Sequence, residues 1–121
     1  MNNKEFGSAG EQHAATYLLG KGYQILETNA SSRWGEIDLI CKKAGKYIFV
    51  EVKSRTSDQY GKPFEAVTYS KIRHLVRSMK YYILSNNLEK MKFQLDVIGI
   101  IFTNSRGVME LKHYENLDVR V

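Results

Sequence analysis

Residues 36–55, "EIDLICKKAGKYIFVEVKSR", carry the clearest secondary-structure signal in the chain. Two runs in it, "EIDLIC" (36–41) and "KYIFVEVKS" (46–54), predict β-strands, because each is short and rich in β-branched and aromatic residues. The residues between them, "KKAG", predict a hairpin, although Ala-Gly forms a poorer two-residue turn than Asn-Gly. These residues therefore predict two neighbouring antiparallel strands of a β-sheet.

The segments that flank this hairpin predict further helices and strands. Apolar periodicity indicates helices over residues 4–20 and 69–85 and strands over 23–29, 92–102 and 108–115, with a turn or loop at 30–35 and a loop at 55–67. The resulting order, α-β-β-β-α-β-β, favours an α/β fold in which helices flank a mixed β-sheet. At 121 residues, the chain has the length of one domain, and we assign residues 1–121 to it.

Composition restricts the classes of partner and compartment. The net charge of +5 favours a polyanionic partner such as nucleic acid. No apolar run approaches the roughly 20 residues of a membrane helix, and the N-terminus lacks the apolar core of a secretion signal, so we expect a cytoplasmic protein without a membrane partner. The single cysteine, Cys41, excludes an internal disulfide and agrees with a reducing compartment.

Charged side chains interrupt the hairpin at positions where a buried strand would be apolar. Side chains alternate across a strand, so Asp38 is predicted to share a face with Ile40, opposite Ile37. A turn at residues 44–45 sets the register, which places Ile40 opposite Phe49, Asp38 opposite Glu51, and Glu36 opposite Lys53.

Two opposed carboxylates make poor structural sense unless a cation lies between them. Directly opposed side chains have Cβ atoms about 5 Å apart, and like charges there are destabilising. Oxygen ligands of this kind suit Mg²⁺ or Mn²⁺, and Lys53 would lie beside the ion, where it could orient a water molecule or neutralise charge on a phosphate. An ordinary solvated strand face, with Glu36 and Lys53 as an ion pair, is the alternative.

The ordered set of these motifs resembles the YraN-like bacterial proteins. Those are predicted endonucleases that are similar to the archaeal Holliday junction resolvases of the PD-(D/E)xK nuclease superfamily. The segments that carry the resemblance are "GEIDLI" (35–40), "FVEVKSR" (49–55), "GSAGEQHAATYLLGKGYQIL" (7–26), "YGKPFEAVTYSKIRHL" (60–75), "FQLDV" (93–97) and "HYENL" (113–117).

The resemblance implies a restriction-endonuclease-like core with a metal-dependent active site. Asp38, Glu51 and Lys53 would form its catalytic triad, and Glu11 matches a helical acid that completes the metal site with Asp38 and Glu51. The cofactor would be Mg²⁺ or Mn²⁺. The chain departs from the superfamily motif at Ile37, where Pro is usual, and it carries serines at 31 and 32, where bulkier or basic residues are expected.

Further basic and aromatic residues are candidates for nucleic-acid contacts. These are Arg55 after the triad strand, Lys62 in the following loop, and Lys71, Arg73 and Arg77 on the second helix. A solvated helix face also explains the helical charges. Trp34 is predicted either to stack on a base or to pack beside the hairpin.

Asp96 and the three histidines are not assigned to the predicted site. Asp96 lies in an apolar strand and is interpreted as a buried structural acid. His13, His74 and His113 have no zinc-site spacing and are expected at the surface or lightly packed.

The leading functional hypothesis is a metal-dependent endonuclease acting on DNA, including branched DNA. The alternative is a non-catalytic nucleic-acid-binding module with the same fold. A third hypothesis is a purely structural domain, which would give no heat of binding with Mn²⁺. Two-fold symmetric substrates would favour a homodimer.

Overall fold

The computed structural model of the chain describes residues 8–56, 62–103 and 107–119. In these ranges the elements are α1 (Ala9–Gly20), β1 (Gln24–Ser32), β2 (Gly35–Lys43), β3 (Lys46–Arg55), a 3₁₀ helix (Pro63–Ala66), α2 (Tyr69–Ser85), β4 (Lys92–Phe102) and β5 (Val108–Tyr114). The predicted order α-β-β-β-α-β-β is confirmed. Neither helix in the described ranges has the length and apolar content needed to cross a bilayer.

The five strands form one mixed sheet in the order β1-β2-β3-β4-β5. Strands β3 and β4 are parallel, and the other neighbouring pairs are antiparallel. Because α2 connects the two parallel strands, β3, α2 and β4 form a β-α-β unit. The architecture is α/β and compatible with the predicted restriction-endonuclease-like core.

The two helices cover opposite faces of the sheet. On the α1 face, Ala14 and Leu18 pack with residues of the central strands, among them Leu39, Cys41, Val50, Ile98 and Ile100. On the α2 face, Leu75, Met79 and Ile83 pack with Ile40, Phe49 and Leu95. Alternate residues of β3 thus enter separate cores, as the period-two pattern predicts.

The structure differs from the predicted boundaries in two places. Strand β1 continues to Ser32, because residues 30–32 pair with residues 35–37 of β2, so the turn or loop predicted at 30–35 is a turn limited to Arg33 and Trp34. The predicted loop at 55–67 contains the 3₁₀ helix, which Pro63 begins. Residues 57–61 of that loop and residues 4–7 of the predicted first helix lie outside the described ranges.

Candidate metal centre

The hairpin has the predicted register from its turn to Ile40 and Phe49, but the predicted pairs Asp38–Glu51 and Glu36–Lys53 lie beyond its last paired position. Lys43 pairs with Lys46 and Ile40 with Phe49, and the paired positions run as far as Leu39 and Val50. One residue further along, Asp38 Oδ2 accepts a hydrogen bond from the Val52 N–H at 2.7 Å. The Asp38 carboxylate therefore lies between the two strands, where it takes the place of a main-chain acceptor.

The prediction that Ile37 and Ile40 lie on opposite faces of the sheet is wrong. Both side chains belong to the core on the α2 face, although they are three positions apart. Strict alternation requires continuous pairing, and the pairing of β2 with β3 ends at Leu39. Because the alternation is interrupted there, the Asp38 side chain does not share the face of Ile40 and lies towards Glu11 of α1.

Helix α1 brings Glu11 to Asp38. The helix begins after Ser8, whose side chain accepts a hydrogen bond from the Glu11 N–H at 3.1 Å. Gly10, the second residue of the helix, lies directly on β3: a Cβ at this position would be 2.9 Å from Ser54 Oγ and 3.1 Å from Ser54 Cβ. The absence of a side chain at Gly10 thus lets the first turn of α1 approach the strand that carries Glu51.

Three carboxylates converge at this point. Oxygen atoms of Glu11, Glu36 and Asp38 all lie within 4.8 Å of one another. The sequence predicts Glu11, Asp38 and Glu51 as ligands, and it pairs Glu36 with Lys53 only in the alternative of a solvated strand face. The spacing Glu36-x-Asp38 on one strand was the signal that could have placed Glu36 in the group.

Burial and neighbouring carboxylates raise the pKa of Glu11 and of Glu51. Burial, followed by the charges of Asp38 and Glu36, raises the pKa of Glu11 to about 7. Burial, followed by a hydrogen bond and charge repulsion from Asp38, raises the pKa of Glu51 to about 9. Glu51 therefore lies in contact with Asp38, and Asp38 connects the group on the α1 side to Glu51.

One oxygen of this cluster has no hydrogen-bond partner. In the described part of the chain, Glu11 Oε1 is the buried side-chain nitrogen or oxygen atom left without one. Burying a polar atom without a partner is costly, and a metal ion would remove this cost together with the repulsion. Since all the converging atoms are carboxylate oxygens, the acidic cluster could bind a hard divalent cation.

A cavity of about 210 Å³ opens beside the acids, between β3 and α2. Its lining residues are Trp34, Gly35, Glu36, Glu51, Lys53, Lys71, His74, Leu75 and Ser78. The close approach of the Lys53 amine and its positive charge lower the pKa of Lys71. Two amines thus lie at the same cavity as the acid Glu51, in a space with room for a phosphate.

The predicted nucleic-acid residues divide between the cavity and other places. Lys71 lines the cavity, and Arg77 lies over the Trp34 ring at its edge. Arg73 and Arg77 border a separate surface pocket on α2. Arg55 is partly buried at the end of β3, whereas Lys62 pairs with Glu110 of β5 at 3.4 Å.

A second acidic group lies under α1, around Asp96. The fully buried Asp96 accepts hydrogen bonds through Oδ1 from Gln94 Nε2 at 2.8 Å and from the Asn116 N–H at 2.9 Å. Its Oδ2 lies 2.6 Å from His113 Nε2. The other ring nitrogen of His113 is 3.0 Å from the Tyr17 hydroxyl.

This second group confirms one prediction and contradicts another. The interpretation of Asp96 as a buried acid is confirmed. The expectation that His113 is at the surface or lightly packed is wrong, since its side chain is 6% exposed and is bonded at both ring nitrogens. Although oxygen and nitrogen atoms of Asp96, His113 and Glu115 lie within 4.8 Å of one another, the Asp96 oxygens already have partners.

Comparison with known proteins places the chain in a family. A UPF0102 protein of Clostridioides difficile strain 630 is 44% identical over 106 residues, which are 88% of this chain and 93% of the relative. A UPF0102 protein of Clostridium acetobutylicum is 45% identical over 114 residues, 94% of this chain and 93% of the relative. A third, from Caldicellulosiruptor saccharolyticus, is 34% identical over 116 residues, 96% and 98% of the two chains.

The family model described as uncharacterised protein family UPF0102 matches residues 10–100. That range contains Glu11, the whole hairpin, α2 and most of β4. The resemblance to YraN-like proteins is thereby confirmed. The chain belongs to the uncharacterised protein family UPF0102.

Proposed function

We propose that this protein is a metal-dependent endonuclease that hydrolyses phosphodiester bonds in DNA, including branched or otherwise structured DNA. The observation that carries the proposal is the convergence of Glu11, Glu36 and Asp38, with Glu51 in contact with Asp38 and Lys53 at the adjoining cavity. Phosphodiester hydrolysis uses these groups together, because it needs a cation ligand set and a positive charge near the reacting phosphate.

The residues that would hold the ion are Glu11, Asp38 and Glu51, joined by Glu36. Their oxygen-only donor set suits Mg²⁺ or Mn²⁺, and the unpartnered Oε1 of Glu11 has a free lone pair for it. When bound, such an ion supplies Lewis-acid polarisation of a phosphate oxygen or of an attacking water. The hydrogen bond from the Val52 N–H holds the Asp38 carboxylate in one orientation towards this position.

The two lysines supply the remaining charge. Lys53 follows Glu51 by one pleat and lines the same cavity, so its amine can orient the attacking water or neutralise the charge that develops on phosphate. Lys71 reaches the cavity from α2 and adds a second cation. A DNA phosphate that enters between β3 and α2 thus meets acids on one side and amines on the other.

Cleavage assays with site variants test this function. Supercoiled, single-stranded, flap and four-way junction DNA are incubated with the protein in Mg²⁺ or Mn²⁺. We expect Asp38→Asn and Lys53→Ala to lower the cleavage rate at least about 100- to 1000-fold, the usual cost of removing one charge-stabilising group. Glu89→Gln and Lys90→Ala, exposed changes between α2 and β4, are the matched controls.

Two results would overturn the proposal. One is a protein that cleaves none of these substrates with either metal. The other is cleavage that survives Asp38→Asn, since contamination or a different active site would then be responsible. Full activity in both control variants excludes a general effect of altered charge.

A non-catalytic nucleic-acid-binding module is the second candidate. The exposed basic residues of α2, with Arg77 over Trp34, favour it. It predicts salt-sensitive DNA binding that needs no metal and is unchanged by Lys53→Ala. Loss of cleavage together with loss of metal-dependent binding in the Lys53 variant would exclude it.

Cutting a two-fold symmetric junction on both sides requires two active sites, so we further propose that the protein acts on such DNA as a homodimer. Light scattering of the protein with and without junction DNA checks this. A complex that contains one chain per junction would contradict it.

A further inference from the structure

Trp34 occupies an unusual position at the mouth of the candidate active site. It lines the same cavity as Glu51 and Lys53 and lies in the two-residue turn between β1 and β2. Its side chain is half-buried, so part of the indole is covered and part reaches solvent. A large aromatic surface thus lies beside the place where the nuclease proposal puts the reacting phosphate.

The turn that carries Trp34 is fixed to α2. Ser32 Oγ accepts a hydrogen bond from the Trp34 N–H at 3.1 Å, and it also lies 3.4 Å from Ser78 Oγ of α2. Gly35, directly after Trp34, has a φ of 130°, which favours glycine. Ser32 therefore connects the main chain of the turn that carries Trp34 to α2.

Two guanidinium groups lie against the indole. Arg33 Cζ is 4.6 Å from the centroid of the Trp34 ring, and Arg77 Cζ is 5.2 Å from it. Cation–π contacts of this kind hold both charges at the edge of the cavity. Together with Lys53 and Lys71 at the cavity itself, the site offers four cations and one aromatic surface, which is the chemistry that a nucleotide requires.

We infer that Trp34, with Arg33 and Arg77, binds one unpaired nucleotide next to the phosphate that is cut. Its base stacks on the indole or on a guanidinium plane, and its phosphates meet the arginines. A base inside a duplex has both of its faces covered by neighbouring bases, so only a single strand, a flap or the branch point of a junction offers a free face. The inference rests on the proposed nuclease function for the position of the phosphate.

Fluorescence gives a direct test, because Trp34 is the only tryptophan in the chain. The wild-type protein is titrated with a 15-nucleotide oligothymidylate, a blunt duplex of equal length and a flap substrate, in a buffer that contains Ca²⁺ as a hard cation. We expect quenching and tight binding with the single strand and the flap, and weaker binding with little quenching for the duplex.

Variants separate stacking from charge. Trp34→Ala should weaken single-strand binding about 5- to 100-fold and leave duplex binding within about twofold, whereas Trp34→Phe retains most of the affinity. Arg77→Ala should weaken binding to both forms. For the single strand, it should also reduce the slope of log K against log salt concentration by about 0.7, the value for one lost phosphate contact. Phe93→Ala, which removes an exposed aromatic side chain of β4, is the matched control.

The inference is overturned if the wild type shows no quenching with single strands, or if it binds the duplex as tightly with equal quenching. The wild-type measurement decides this even if Trp34→Ala does not fold. Parallel cleavage assays in Mn²⁺ keep the two proposals apart. Quenching without cleavage rejects the nuclease, whereas cleavage without discrimination rejects the role of Trp34.

Discussion

Two groups of acidic side chains lie in the part of the chain that the structure describes, and their oxygen atoms differ in whether they have hydrogen-bond partners. Around Asp96, both carboxylate oxygens have hydrogen-bond partners, and the imidazole of His113 is bonded on both sides. Around Asp38, carboxylates oppose one another, and Glu11 Oε1 is buried without a partner. Proximity of acids is common to both groups, so the buried oxygen without a partner is what distinguishes the candidate metal site from the hydrogen-bonded network around Asp96.

The largest expected difference between the groups is in stability without metal. Asp96→Ala leaves Gln94, His113 and the Asn116 N–H without their shared acceptor, so we expect the free energy of unfolding to fall by about 3–5 kcal/mol. Asp38→Asn should leave the free energy of unfolding unchanged or raise it. The amide oxygen still accepts a hydrogen bond from the Val52 N–H, while one negative charge is removed. Urea denaturation with a chelator present measures both. Equal losses of unfolding free energy in the two variants would contradict the difference between the Asp96 and Asp38 groups.

Metal addition should act on one group alone. At a Mn²⁺ concentration of about 100 times its dissociation constant, binding to the native state adds about 2.7 kcal/mol to the free energy of unfolding. We expect Glu11→Gln and Asp38→Asn to lose this gain. Tyr17→Phe, which removes only the hydroxyl beside His113, is the matched control and should keep it. A gain that persists without Glu11 and Asp38 would place the metal elsewhere.

Much of this arrangement could be predicted from local sequence. The hairpin register, the ends of β4 and the burial of Asp96 follow from apolar runs and from a short turn, which are local features. The face of Ile37 could not be predicted, because it depends on where β2 stops pairing with β3. The packing of His113 depends on Tyr17, which is 96 residues away in the chain. No pattern within one strand reports such a contact.

The position of Glu36 beside Glu11 and Asp38 was not predicted, for a related reason. An assumed regular ladder pairs Glu36 with Lys53, whereas the open end of the hairpin and the first turn of α1 place it near Glu11 and Asp38. The approach of α1 depends on a single glycine. That dependence suggests a more local test of the site.

Gly10→Ala should damage the Asp38 group and spare the Asp96 group. The new methyl would meet Ser54 Oγ at 2.9 Å and Ser54 Cβ at 3.1 Å, so the first turn of α1 must move outward with Glu11. Overpacking of this kind costs about 1–3 kcal/mol, and Mn²⁺ affinity should fall with it. Calorimetric titration measures the affinity. Gly20→Ala, where a Cβ has open space, is the control. Unchanged Mn²⁺ affinity in Gly10→Ala would show that α1 is not needed to place the ligand.

The stability of the metal-free protein should also depend on pH. Because the folded-state pKa of Glu51 is raised from 4.5 to about 9 and that of Glu11 to about 7, the native state holds protons that the unfolded chain releases. Stability of the metal-free protein should therefore fall as the pH rises from about 5 to about 9.

Thermal unfolding at a series of pH values, with a chelator, measures this decline. Glu51→Gln has no proton to lose at this position, so its profile should be flatter. Saturating Mn²⁺ should oppose the decline, since the ion replaces the protons. A metal-free stability that rises over the same pH range would contradict the repulsion between these acids.

Diffraction from crystals soaked in Mn²⁺ is the most direct test of the proposed metal centre, because anomalous scattering locates the ion without any assumption about substrate. We predict one strong peak within ligand distance of Glu11 and Asp38, with Glu36 or Glu51 completing the protein ligands, and none at Asp96, His113 and Glu115. A peak at the second group alone, or no peak near Asp38 at a saturating Mn²⁺ concentration, would contradict the assignment of the metal centre.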